Sequence, residues 1–132
     1  MQVVPELLCS DLERSVAFFI EVLEFEVLYR REEETFACLG RETTRLMLEQ
    51  VDGPGRRWVT GPLEQPFGRG INFEWPVSDA TRFHGRVVSR RPDCIHVPLE
   101  HRAYRVAEGQ VSQSQFVVQD PDGYLFRFCS GG

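Results

Sequence analysis

Apolar residues recur along this chain with helical spacing in some segments and in strand-like runs in others. These segments occur in the same order in both halves of the chain. Two stretches carry apolar residues at helical spacing: Leu12, Val16, Phe19 and Leu23 in the first, and Ala80, Phe83 and Val87 in the second. Such spacing places side chains on one face of an α-helix. Around these stretches lie short runs of strand-forming residues. The pattern predicts two amphipathic helices, each flanked by strands.

The segments that lead into the two helices resemble each other. "VVPELLCSD" at 3–11 aligns with "INFEWPVSD" at 71–79, an offset of 71 − 3 = 68 residues that matches Glu6 with Glu74. Both segments predict a strand that runs into a helix start. In the first, Ser10 and Glu13 have the spacing of a capping box, with Ser10 as the N-cap. An internal repeat of this kind predicts two copies of one supersecondary unit.

Further strand candidates follow each helix. They are 25–30, 35–40 and 44–50 in the first half, and 95–100, 114–120 and 124–129 in the second. Asp122-Gly123 is a turn pair before the last strand. Each half therefore predicts the order β-α-β-β-β. We expect module one at about 1–50, a Gly/Pro-rich linker at about 51–69 and module two at about 70–129, within one domain spanning 1–132.

Charge and composition narrow the classes of partner. The chain has 132 residues and a net charge of −5, which disfavours a nucleic-acid groove but suits a cationic small molecule. No apolar run has membrane-spanning length, and the N-terminus lacks a signal-peptide pattern. We therefore expect a cytoplasmic protein with no nucleic-acid or membrane partner. Its four cysteines lack CxxC spacing, so we expect reduced thiols.

Four segments carry a resemblance that covers nearly the whole chain. They are "PELLCSDLERSVAFFIEVLEFEVLYR", "FACLGRETTRLMLEQ", "PFGRGINFEW" and "QFVVQDPDGYLFRF". In this order they resemble the vicinal-oxygen-chelate superfamily of glyoxalase I, extradiol dioxygenases, fosfomycin-modifying enzymes and bleomycin-resistance proteins. The resemblance implies an α+β fold of two βαβββ modules, which form curved mixed sheets around a cavity with the helices outside.

The resemblance also implies positions for metal ligands. Enzymes of the superfamily carry His or Gln on the first strand of a module and Glu on its last strand. The corresponding positions here hold Val4, Arg45, Asn72 and Arg127. Valine has no donor atom, and a guanidinium keeps its proton and charge. We therefore expect neither a metal site nor a cofactor.

These departures resemble the bleomycin-resistance branch, whose members bind a drug without converting it. The resemblance implies a homodimer with clefts between protomers and a natural product or antibiotic as ligand: bleomycin-like, mitomycin-like or an enediyne. We expect a binding protein that confers self-resistance by sequestration. A glyoxalase-fold enzyme (lyase, isomerase or dioxygenase) with a non-standard metal site remains an alternative, as does a small-molecule sensor.

Strand alternation selects the candidate ligand-binding side chains. Charged and polar candidates are Glu6, Glu49, Asn72, Glu74 and Arg127; apolar and aromatic candidates are Phe36, Cys38, Met47, Trp58 and Tyr104. Two alternatives stay open. Arg127 can serve the fold by pairing with Glu6, Glu49 or Glu74, and Trp58 can cover the edge of the core. Trp58 and Tyr104 are assigned to the cleft because both lie outside the repeated segments.

Overall fold

The computed structural model describes residues 2–131, which divide into two compact units that meet between Phe67 and Gly68. The first unit contains β1 (Glu6–Cys9), α1 (Leu12–Glu21), β2 (Glu26–Arg31), β3 (Phe36–Arg41) and β4 (Thr44–Gln50). The second contains β5 (Asn72–Pro76), α2 (Ala80–Arg90), β6 (Ile95–Val106), β7 (Gly109–Gln119) and β8 (Leu125–Gly131). Both units therefore have the predicted β-α-β-β-β order, and the α+β fold class is confirmed.

The two sheets share one topology. In the first unit the strand order is β1-β4-β3-β2, and in the second it is β5-β8-β7-β6. The first strand of each unit pairs in parallel with the last, and the remaining pairs are antiparallel. A parallel pair needs a crossover connection, which the helix supplies. Each sheet is consequently mixed, with one helix packed on its strands.

Each helix is preceded by an aspartate that caps its N-terminus. Asp11 and Asp79 are the N-cap residues, and their side chains accept hydrogen bonds from the backbone N–H groups of Arg14 and Arg82 at 3.2 and 3.0 Å. The predicted cap at Ser10 is therefore wrong by one residue. The repeat does indicate the observed N-cap residues, because Asp11 and Asp79 are equivalent positions.

The helix-facing side of each sheet holds the core. In the first unit, Ala37, Leu39, Leu46 and Leu48 are fully buried beside the stripe of α1. In the second, Phe83 from α2 packs edge-on against Phe128, with ring centroids 5.0 Å apart. Edge-to-face contact is a favoured arrangement of aromatic rings. The predicted apolar stripes are thus confirmed as buried, although α1 ends before Leu23.

The Asp-Gly turn forms as the sequence predicts. Gly123 has φ +105°, and its N–H donates to the carbonyl of Asp120 at 3.0 Å. The Oδ1 atom of Asp120 accepts from the N–H groups of Asp122 and Tyr124. A glycine is also required at Gly68, where φ is +76° and a Cβ would lie 2.4 Å from the Tyr124 ring.

The first strand is Glu6–Cys9, within the segment 3–11 that predicts a strand and a helix start. The bounds of two other strands differ from those predicted. Strand β6 continues past 95–100 to Val106, and β7 begins at Gly109, before the predicted 114–120. The two strands form one long hairpin in which Tyr104 pairs with Val111. Tyr104 therefore lies in the part of β6 that extends past the predicted strand. Neither of the helices in residues 2–131 has the length and hydropathy needed to cross a membrane.

Candidate functional site

The first unit presents a polar and aromatic face opposite its helix. Register places Glu6, Met47 and Cys38 in one row across β1, β4 and β3. The next row along the strands contains Leu8, Glu49 and Phe36. Paired residues share a face of the sheet, so five predicted site residues lie together here: Glu6, Phe36, Cys38, Met47 and Glu49.

The Gly/Pro-rich segment after β4 folds back onto this face. Arg57 Nη1 lies 3.2 Å from Glu49 Oε2, and Glu49 is only 3% exposed. A Cβ on Gly55 would come within 2.8 Å of the same carboxylate oxygen, so the backbone approaches Glu49 closely. The loop thus covers a buried carboxylate and supplies its cationic partner, which is how a buried charge is tolerated.

Trp58 follows Arg57 directly and points into solvent. Its side chain is 73% exposed, and the Arg56 guanidinium lies 5.1 Å from its ring centroid. That distance allows a cation–π contact. A residue this exposed is not a cover for the core, so the structure favours the assignment of Trp58 to a surface role beside Glu49.

Strand β2 contributes two residues to this face that sequence reasoning missed. Tyr29 pairs with Cys38, and Arg31 pairs with Phe36. The Arg31 guanidinium carbon lies 3.9 Å from the Phe36 ring centroid, while Tyr29 is 42% exposed. Phe36 is therefore beneath Arg31, and Tyr29 offers the accessible aromatic surface. A register shift between Val27 and Tyr29 brings both residues to this face.

Glu6 has an electrostatic environment that favours its protonated form. Burial raises the pKa of the Glu6 carboxyl, the charge of Glu49 raises it further, and Arg31 acts in the opposite direction. Like charges on one face disfavour joint ionisation. A cation that bound near Glu6 would therefore reduce an existing repulsion.

The second unit places an ion pair at the equivalent position. Glu74 pairs with Arg127 across β5 and β8, and Arg127 Nη2 lies 2.7 Å from Glu74 Oε1. The structural alternative for Arg127 is thus observed with Glu74 as the partner. Its Nε atom is buried and has no acceptor within residues 2–131. Asn72 is the first residue of β5, the strand that contains Glu74, so Asn72, Glu74 and Arg127 lie together.

Amide side chains continue this face across β7 and β6. Gln115 donates to Glu100 at 2.9 Å and accepts from Gln113 at 2.9 Å. Tyr104 lies on the same face of the sheet but near the far end of the hairpin, several residues from the row that contains Glu74.

Burial raises the pKa of the Cys129 thiol, which lies beside the row that contains Glu74, and the charge of Glu74 raises this pKa further. Cys129 is consequently a protonated, weakly nucleophilic thiol at neutral pH.

The comparisons with known proteins agree with this architecture. The model of the Glyoxalase/Bleomycin resistance protein/Dioxygenase superfamily matches residues 2–128. The chain belongs to this superfamily. The resemblance inferred from the sequence is confirmed. No curated protein matches the sequence.

Several solved structures are similar to this chain. TioX from Micromonospora sp. ML1 has 21% identity, with 100% of this chain and 99% of that chain covered and a TM-score of 0.77. The bleomycin-binding protein of Streptomyces verticillus, complexed with copper(II)-bleomycin, has 19% identity, 100% and 97% coverage and a TM-score of 0.64. A superfamily member from Vibrio splendidus 12B01 has 40% identity, 96% and 95% coverage and a TM-score of 0.46.

The residues that the sequence resemblance aligns with metal ligands have side chains that suit a metal poorly. Among them, Arg127 is paired with Glu74, and Val4 has no donor atom. Within residues 2–131, no group of three or more His, Cys, Asp or Glu side chains is placed to hold a metal ion. His84 instead accepts the N–H of Leu99, and His101 contacts Ser114. The absence of a resident metal stays a prediction, which metal analysis of the purified protein can test.

Proposed function

We propose that this protein binds a small amphipathic molecule with a planar part and holds it without converting it. Its ligand is a toxic natural product or antibiotic that is bleomycin-like, mitomycin-like or an enediyne. Sequestration of that ligand confers self-resistance. The protein acts in the cytoplasm as a homodimer, with the ligand in clefts between protomers.

The observation that carries this proposal is the loop-covered carboxylate of the first unit. Glu49 is buried, Arg57 fixes it at 3.2 Å, and the exposed ring of Trp58 follows in the same loop. Small-molecule sites combine aromatic surface with a few placed polar groups. Tyr29 adds a second accessible ring to the same face. This wall suits an amphipathic ligand that stacks and forms a small number of polar contacts.

Two further observations support binding without chemistry. Arg127, which the sequence resemblance aligns with a metal-ligand position of the superfamily's enzymes, is paired with Glu74, and a guanidinium cannot serve as a metal ligand. The bleomycin-binding protein of Streptomyces verticillus has the same fold and binds a drug. The superfamily also contains enzymes, so the experiment includes an arm for turnover.

The test combines affinity with stability. Bleomycin, mitomycin C and an enediyne chromophore are titrated into the purified protein by calorimetry, and each is recovered and weighed by mass spectrometry afterwards. Saturation at 100 times the dissociation constant should stabilise the fold by about 2.7 kcal/mol. The ligand's mass should be unchanged. Stoichiometric metal that is restored after chelation, together with a changed ligand mass, would establish the enzymatic alternative.

Trp58→Ala locates the site. We expect two- to tenfold weaker binding, equivalent to about 0.5–1.5 kcal/mol of lost ring stacking, with an unchanged melting temperature because the side chain is exposed. Leu63→Ala removes an exposed apolar side chain from the same loop and should leave the affinity unchanged. Unaltered affinity in Trp58→Ala, or a large loss of stability, would remove Trp58 from the site. Sedimentation of the ligand complex tests the homodimer.

A further inference from the structure

Helix α2 carries a concentrated positive charge on an otherwise acidic protein. Arg82, Arg86 and Arg90 recur at intervals of four residues, so they follow one face of the helix. At 1.5 Å per residue, the row is about 12 Å long. The chain as a whole has a net charge of −5. This local reversal of charge lies outside both faces described above.

The row borders a groove of about 460 Å³, lined by Arg82, Gly85, Arg86, Ser89 and Arg90. Gly85 and Ser89 are small, so they leave space between the long arginine side chains. A Cβ added at Gly85 would meet no atom within 4 Å, which shows that the groove is open at this point. A ligand could therefore approach the helix between the guanidinium groups.

One arginine of the row is held in place by packing. The Arg86 guanidinium carbon lies 5.5 Å from the ring centroid of Phe83, and Phe83 is fully buried in the core. Arg82 lies 4.0 Å from Asp79 at the start of the helix. A guanidinium has five N–H donors, so contacts within the protein and contacts to a ligand can coexist. The groove thus combines three cations with a partly fixed central one.

Arginine favours phosphate oxygens because its planar fork donates two parallel hydrogen bonds. The row is too short, and the protein too acidic, for an extended nucleic-acid surface. Three cations along one helix instead match a short chain of phosphate groups. Ser89 adds a hydroxyl that can donate a further hydrogen bond.

We propose that the groove on α2 binds a small ligand that carries a di- or triphosphate group. The site uses none of the residues of the proposed drug-binding face, including Trp58 and Glu49. Arg86 supplies the central contact, and Arg82 and Arg90 contact the two ends of the phosphate chain. Binding should weaken as salt rises, because counterions screen exposed charges.

Calorimetric titration with inorganic tripolyphosphate at low salt tests the proposal. Arg86→Glu should raise the dissociation constant about tenfold or more, as expected for loss of a charge-assisted hydrogen bond. Arg105→Glu makes the same change of charge on the exposed part of β6 and should alter the constant by less than about twofold. An equal loss in both variants would overturn the proposal, since only net charge would then matter.

Gly85→Leu tests the groove without changing charge. Leucine is a better helix former than glycine, and position 85 has room for its Cβ, so the melting temperature should hold or rise. Binding of tripolyphosphate should nevertheless weaken as the side chain fills the groove. Undiminished binding in this variant would overturn the proposal. So would tighter binding of a poly-glutamate peptide, which would make the groove a protein-docking surface.

A parallel titration with a nucleoside triphosphate identifies the source of the phosphate. Equal affinity for both probes supports recognition of the phosphate chain alone. Tighter binding of the nucleotide supports a nucleoside that extends beyond the groove. No saturable binding of either probe at low salt would overturn the proposal.

Discussion

The two units place a glutamate at the same position of the same topology and give it opposite surroundings. Glu6 lies beside Met47 in the row of the first sheet, whereas Glu74 lies beside Arg127 in the second. The arginine neutralises Glu74 at 2.7 Å. Glu6 instead shares its face with Glu49, and its pKa is raised by burial and by that charge.

This difference shows which face of the sheet can differ between the two copies of the repeated unit. The helix-facing sides stay apolar in both sheets because they form the cores. The opposite faces diverge into a carboxylate and aromatic wall in the first unit and an ion pair with a glutamine row in the second. We infer that the first face is the better candidate for contact with a cationic ligand, and that the second has a larger structural component.

The two units should differ most in how the turn before the last strand makes their stability depend on pH. In the second unit Asp120 is 5% exposed, and its Oδ2 atom has no hydrogen-bond partner within residues 2–131. Burial raises the pKa of Asp120 to about 7, and the charge of Asp122 adds to the increase. The first unit turns instead through Glu42, an exposed residue with φ +55°.

The raised pKa of Asp120 predicts a fold that is more stable in mild acid. The folded state holds this proton more tightly than the unfolded chain, so its contribution is present below about pH 4 and is lost as pH rises to about 7. The rise from the ordinary pKa of an aspartate to about 7 corresponds to at most about 4 kcal/mol. Urea unfolding between pH 4 and pH 8 measures the slope.

Asp120→Asn should flatten that pH dependence, because the amide keeps an oxygen for the two backbone N–H groups but does not titrate. Asp93→Asn, at an exposed position, is the matched control and should leave the slope intact. A steep dependence that survives Asp120→Asn would assign the pH effect to another group.

Arg127→Met tests the ion pair of the second unit by giving Glu74 the neighbour that Glu6 has. The side chains of Arg127 and Glu74 are 30% and 48% exposed, so solvent screens their attraction. We expect a loss of stability of about 0–1 kcal/mol, and the difference from the parent protein should shrink in high salt. Arg102→Met, at a weaker pair with Glu100, is the control. A loss of several kcal/mol would show that Arg127 is essential to the sheet.

Most of the scaffold could be predicted because local patterns determine it. The apolar stripes of α1 and α2 and the alternation of Leu46 and Leu48 in β4 follow from burial on one face. The repeat located both units, and the Asp-Gly pair identified the last turn. These features need no knowledge of distant contacts.

The site could be predicted only where it follows strand alternation. Alternation brought Glu6, Met47 and Glu49 together correctly. Strict alternation does not hold through β2, where a register shift between Val27 and Tyr29 places Tyr29 and Arg31 on the face opposite to Val27. The contact between Arg57 and Glu49 depends on how a long loop folds back, which no periodic pattern encodes. The position of Tyr104 near the tip of the β6–β7 hairpin was likewise not predicted, because both strands extend beyond their apolar segments.

Met47→Arg makes the reverse exchange and should produce the smallest effect. A guanidinium beside Glu6 favours the ionised carboxylate, so the pKa of Glu6 should fall from its raised value toward its ordinary one. The change in stability should stay below about 1 kcal/mol, because Glu6 is largely in water. A carboxyl-carbon NMR titration reads this pKa directly, and Met47→Gln, which adds polarity without charge, should leave it raised. If both variants lower the pKa equally, solvation rather than the missing cation distinguishes Glu6 from Glu74, and the electrostatic contrast between the units fails.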